Sequence, residues 1–186
     1  MSEHNTTSTA AGDSAPETTA ANGAHTINGT PIGSTSLTPF IVVDGAAGAI
    51  SFYETVFGAR LLSRTDFPGP DGDPIVAHAV VDFGNGRLEL GDPNPAYHLV
   101  LPPAGEDDCL SLGVYLPDVD AAVERAVAAG AKLREPATTF VTGDRYASIR
   151  DPFGIRWSVM TRVEDVSDEE AARRVAEWAA SMEAQQ

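Results

Sequence analysis

Apolar side chains recur with two different periods along the chain, and the period assigns the elements. Residues 40–43 are a short unbroken apolar run closed by Asp44-Gly45, which predicts a buried strand. Ala46, Ile50, Tyr53 and Phe57 then follow at helical steps, so residues 46–57 read as a helix with one apolar face. Gly58 is placed to end it, because glycine takes the left-handed backbone of a helix terminus without strain. Residues 60–65 read as a strand and the Gly/Pro-rich segment 67–74 as a loop. Residues 75–82 and 87–91 predict a hairpin around Phe83-Gly84-Asn85-Gly86. Pairing Asp82 with Arg87 sets Val80 opposite Glu89. Strand alternation then puts His78, Val80 and Glu89 on one face and Ala79, Val81, Leu88 and Leu90 on the other, which suits packing under a helix.

After a proline-rich acidic loop, residues 92–108, the pattern restarts. Residues 110–116 predict a strand. Asp118 caps a helix to Ala129, Gly130 ends it, and residues 132–135 predict a strand. Residues 146–150 and 155–161 predict a second hairpin around Asp151-Pro152-Phe153-Gly154. The restart is a repeat: Gly58-Ala59-Arg60-Leu61 matches Gly130-Ala131-Lys132-Leu133, and Asp82 and Arg87 match Asp151 and Arg156. A last helix, 168–184, begins at a Ser167/Glu170 capping box. Its Val175, Trp178 and Met182 stripe is expected to dock on the domain or a partner subunit.

Residues 1–36 lack large apolar side chains to offset the entropy of ordering, and read as a disordered tail in which His4 and His25 are solvated. The expected organisation is that tail, a domain over 37–163 with modules at about 37–92 and 109–163, and a helical extension over 164–186. The net charge of -15 argues against nucleic-acid and anionic-membrane partners. The single cysteine, Cys109, forbids an intrachain disulfide and reads as an inert thiol. No Lys or Arg precedes Arg60, as a targeting peptide would require, and no apolar run is long enough to span a bilayer. Cytoplasm is the expected location.

The duplicated βαβββ order, the segments ISFYETVFGA and DVDAAVERAVAAGA, and above all GDRYASIRDPFGIRWSVMTRVEDVSDEE resemble the vicinal-oxygen-chelate superfamily of glyoxalases, bleomycin-resistance proteins and extradiol dioxygenases. The last segment is similar to the demethylubiquinone-methyltransferase-like glyoxalase branch. The resemblance covers about residues 37–170. It implies an α+β fold, with two βαβββ modules forming a curved mixed sheet around a concave cleft and a C-terminal helix added. It also implies a divalent metal held by four residues, one from the first and one from the last strand of each module. Those slots fall on Thr38 or Pro39, Glu89, Ser111 and Ser158, of which only Glu89 is a competent ligand. No cofactor is therefore expected, with Glu89 the fallback candidate should a divalent metal bind.

His78 and Glu89 read as a hydrogen-bonded pair, as a donor beside a general base, or as a two-ligand metal site completed by a partner subunit. They are the candidate catalytic residues if there is catalysis. Alternation brings Ser111, Gly113, Tyr115, Ser158 and Met160 to the concave face with His78, Val80 and Glu89, a mixed surface suited to a small ligand. His98 reads as a solvated or lid-packing histidine. Asp144 with Arg145 reads as a local ion pair, and Arg156 is expected to pair with Asp151 as Arg87 does with Asp82. The leading expectation is a homodimeric, metal-free protein that binds a small apolar or aromatic molecule. The alternative is an atypical lyase or dioxygenase using Glu89 with or without a metal.

Overall fold

The computed structural model describes residues 19–69 and 72–184, and the chain divides after Ser36. Within residues 19–36 a small hairpin forms from β1 (Thr26–Ile27) and β2 (Thr30–Pro31). Asn28 and Gly29 both take positive φ between them, the backbone that a two-residue Asn-Gly hairpin turn requires. The expectation of a disordered tail over residues 1–36 overlooked this local signal. His4 and the other residues up to 18 lie outside the described residues.

From Leu37 onward the chain is two βαβββ modules. The first consists of β3 (Phe40–Val42), α1 (Ala46–Phe57), β4 (Arg60–Pro68), β5 (Pro74–Asp82) and β6 (Arg87–Gly91). The second consists of β7 (Ser111–Tyr115), α2 (Val119–Ala128), β8 (Lys132–Thr139), β9 (Asp144–Arg150) and β10 (Arg156–Arg162). Each forms a four-stranded mixed sheet with equivalent order, β3-β6-β5-β4 and β7-β10-β9-β8. The first strand runs parallel to the last and the other pairs are antiparallel. The α+β class and the repeat therefore stand. The strands β4 and β5 run further into the 67–74 segment than expected, and β8 reaches Thr139 rather than Glu135.

The core lies on the helical side of both sheets. Ile50, Tyr53 and Val56 of α1 meet Ala79, Val81, Leu88 and Leu90, all buried, as the alternation required. Burying each large apolar side chain contributes about 1.5–3 kcal/mol. Tyr53, Phe57, Phe83 and Trp157 form an aromatic cluster where the two modules meet, with Tyr53 and Phe57 stacked and the other pairs tilted or edge-on. Arg125 of α2 donates twice to the carbonyl of Val56, an acceptor that the last turn of α1 leaves without a helical partner. The N-terminus of α1 has no side-chain cap of its own. Asp92, beyond β6, accepts instead from Gly45 and Ala46, and from Val76 of β5.

The helix α3 (Asp168–Glu183) starts where Ser167 accepts from the Glu170 N–H. The Glu170 carboxylate does not return the bond. Arg173 and Arg174 take it, and they hold it down from the ordinary 4.5 to about 2. The expected docking is slight: Trp178 meets Phe140 edge-on, yet Trp178 and Met182 stay 43% and 46% exposed. No helix among the described residues is long and apolar enough to cross a membrane.

Candidate functional site

The faces turned away from the helices carry the candidate chemistry, and each sheet has its own cavity. On the first sheet the expected Val80–Glu89 register holds. His78 Nε2 lies 3.2 Å from Glu89 Oε2, and both side chains are part-exposed. The His78 ring also stacks on Phe40 at 6.0 Å. A β-bulge sets the local shape. Pairing passes from Thr65–His78 to Asp66–Val76, so Ala77 is an extra residue. Beyond it Val76 turns into the core, while Ala77 and His78 both line the open side. The bulge crowds Gly91, where a Cβ would lie 2.8 Å from the Ala77 carbonyl oxygen.

Phe40, Thr65, Phe67, Ala77 and His78 floor a cavity of about 490 Å³, and Asn94, Tyr97 and Leu99 of the loop after β6 form its rim. Asn94 caps the short helical turn Pro95–Tyr97 by accepting from Ala96. His98 is the exposed, positive-φ residue that ends this turn, and its backbone does the work there.

On the second sheet Ser111 and Ser158 are neighbours, with hydroxyls 3.4 Å apart. Gly113 leaves room for Met160, whose methyl would sit 3.2 Å from an added Cβ. Tyr115 donates to Asp144. A cavity of about 610 Å³ is lined by Glu135, Pro136, Thr138, Phe140, Thr142, Asp144, Tyr146 and Met160. The expected site residues thus fall into two groups. His78, Val80 and Glu89 share one sheet face, and Ser111, Gly113, Tyr115, Ser158 and Met160 share the other.

The metal implied by the resemblance does not fit this donor set. His78 and Glu89 are the strong donors brought together on the first face, and the corresponding positions of the second face hold two hydroxyls turned toward each other. Among the described residues no three His, Cys, Asp or Glu side chains gather where they could hold an ion.

Two expected ion pairs are replaced by others. Asp144 pairs with Arg162 rather than Arg145, and Arg145 makes a bidentate bond to Asp120 at the start of α2. Arg156 does not meet Asp151. The turn between β9 and β10 is one residue longer than that between β5 and β6, so Arg156 stands opposite Arg150. Arg156 instead binds Glu135 at 2.9 Å and the hydroxyl of buried Ser148 at 3.1 Å. Asp151 turns inward and accepts from Tyr53 Oη, Trp157 Nε1 and the N–H groups of Phe153 and Ile155, each at 2.9 Å. Burial pushes this carboxyl above its ordinary range, and the donors offset part of the rise.

Sequence reasoning missed Arg134, Arg150 and Arg156 as a group. Alternation through Ser148 and Ser158 would have put Arg150 and Arg156 on the open face had the turn length been known.

The sequence signature of the Glyoxalase/Bleomycin resistance protein/Dioxygenase superfamily matches residues 32–159. The uncharacterized protein Mb0911c of Mycobacterium bovis is 36% identical over 138 residues, 73% of this chain and 88% of that protein. Among solved structures, TioX from a Micromonospora species superposes with a TM-score of 0.53 at 26% identity, over 69% of this chain and 99% of that one. A Bacillus cereus PhnB protein, described as a putative 3-demethylubiquinone-9 3-methyltransferase, gives 0.54 at 19% identity, over 68% and 99%.

Proposed function

Because this chain belongs to the glyoxalase/bleomycin resistance protein/dioxygenase superfamily, we propose that it is a metal-free member that binds a small apolar or aromatic molecule on its open sheet faces. The observation that carries this reading is the contact between Ser111 and Ser158. The family resemblance assigns these residues to two of the four ligand positions of metal-using members, and a pair of neutral hydroxyls holds a divalent ion weakly. Cavities of about 490 and 610 Å³ beside Phe40 and Tyr146 are within the size range of small-molecule sites. We place the protein in the cytoplasm, where its one exposed cysteine would stay reduced. We also propose a homodimer in which a second copy covers the open faces. Light scattering at micromolar concentration should then give twice the 19.5 kDa chain mass.

The test of the metal-free reading is native mass spectrometry with elemental analysis of untagged protein. A co-purified organic ligand and no stoichiometric metal is the expected result. About one divalent ion per chain, released by Glu89→Gln, would overturn it. The His78–Glu89 contact favours a second reading, in which Glu89 acts as a general base on the bound molecule. Under that reading Glu89→Gln abolishes turnover while leaving ligand affinity unchanged.

A further inference from the structure

One end of the second sheet carries a row of cations that the sheet itself neutralises only in part, through the Arg156–Glu135 pair. Lys132, Arg150 and Arg156 stand directly opposite one another on β8, β9 and β10. Like charges in cross-strand register repel, so such a row is stable only with anions set against it. Most of those anions come from the far end of the acidic loop. Glu106 binds Lys132 at 3.4 Å and Arg134 at 2.7 Å. The Gly105 carbonyl accepts from Arg150, and the Glu106 carbonyl accepts from Arg134. Asp108 lies between Arg150, at 3.5 Å, and Arg156, at 3.9 Å.

The fit is incomplete. The side chains of Arg150 and Asp108 are each 12% exposed, yet Asp108 makes only long contacts. Among the described residues, the buried side-chain polar atoms with no hydrogen-bond partner are Asp108 Oδ1 and Arg134 Nε, and both belong to this cluster. A desolvated charge with an unmade hydrogen bond is costly, and a forked oxyanion of better geometry relieves that cost. The cluster also adjoins a cavity. Arg156 is bonded to Glu135, which lines the 610 Å³ cavity with Phe140, Tyr146 and Met160.

We propose that Arg150 and Arg156, supported by Arg134, form a carboxylate-binding site. Its ligand is an aromatic acid whose ring enters the neighbouring cavity and whose carboxylate displaces Asp108. The proposal rests on the reading of this face as a small-molecule site and adds the charge of the molecule. Glu106, Asp108 and Glu135 are the acidic groups that hold the arginines in the free protein. Glu106 is well exposed, so its own ion pairs hold the loop only weakly.

Isothermal titration with 2-naphthoate and its uncharged counterpart 2-naphthamide tests this. The acid should bind at least about tenfold more tightly than the amide, as a charge-assisted bidentate contact gives. Arg156→Gln should close that gap without abolishing amide binding. Asp108→Asn, which keeps the sheet intact, should tighten the acid. Hydrogen exchange in residues 104–108 should rise when the acid binds. Equal affinity for acid and amide overturns the carboxylate site and leaves small-molecule binding standing. If neither compound binds, the proposal and the reading it rests on fall together.

Discussion

Asp82 and Asp151 occupy matching places in the sequence repeat and opposite places in the molecule. Asp82 stays at the surface, accepts from the Gly84 N–H and binds Arg60. That backbone bond, with Arg60 behind it, holds its carboxyl below the ordinary value of 3.8. Asp151 is 4% exposed and lies in the seam between the modules, where burial raises it. The cause is one extra residue in the second turn. Because side chains alternate, a shift of one residue moves a side chain to the other face. The place taken by Asp151 in the second module is taken by Phe83 in the first, and Phe83 packs in the same aromatic cluster. A duplicated pattern therefore transmits strand order faithfully, while the chemistry of each face depends on turn length.

The largest break in this comparison should come from Asp151→Ala. It strands four donors in the core and should cost about 3–5 kcal/mol in urea unfolding, whereas Asp82→Ala should cost less than about 1 kcal/mol. Equal losses would show that the two turns are equivalent after all. Gly91→Ala comes next. Its Cβ would press on the backbone oxygen of Ala77, so the bulge must shift, at about 1–3 kcal/mol. Gly113→Ala, which meets only the flexible end of Met160, should cost less.

The smallest effect is a pair of pH slopes. A lowered carboxyl stabilises the fold above its unfolded pKa and loses that contribution as pH falls through the folded value, so the penalty of Asp82→Asn should shrink below 3.8. A raised carboxyl contributes fully below its unfolded pKa and loses that contribution as pH rises through the folded value. The penalty of Asp151→Asn should therefore be greatest in acid and shrink as pH climbs above 3.8. Chemical unfolding of both variants from pH 3 to 8 checks the signs, and slopes of the same sign would contradict the burial argument.

Much of the fold was legible because it rests on period. The helical steps through Ile50 and Tyr53 and the alternation around Val80 and Glu89 each depend on a few neighbouring residues, and the structure keeps both. The His78–Glu89 and Ser111–Ser158 contacts follow from that same alternation. What stayed hidden depends on aperiodic geometry. The bulge at Ala77 leaves no mark on hydropathy, and the extra residue before Ile155 changes parity without changing composition. The arginine cluster needs Glu106 and Asp108 brought back across the sheet by a loop whose path no period describes. The Asn28-Gly29 turn signal is legible, but the residues around it carry little apolar surface to support it.

The bond from Tyr53 to Asp151 joins residues 98 positions apart, and the Arg125–Val56 bonds join the two helices across 69. Halves built on one repeated pattern have thus surrendered their autonomy. Cutting the chain between them would strip each piece of partners for its buried polar groups and leave Trp157 and Tyr53 facing water. Unfolding should accordingly run as one concerted transition, and refolding should wait on closure of a long loop, because the seam cannot form until both halves are present.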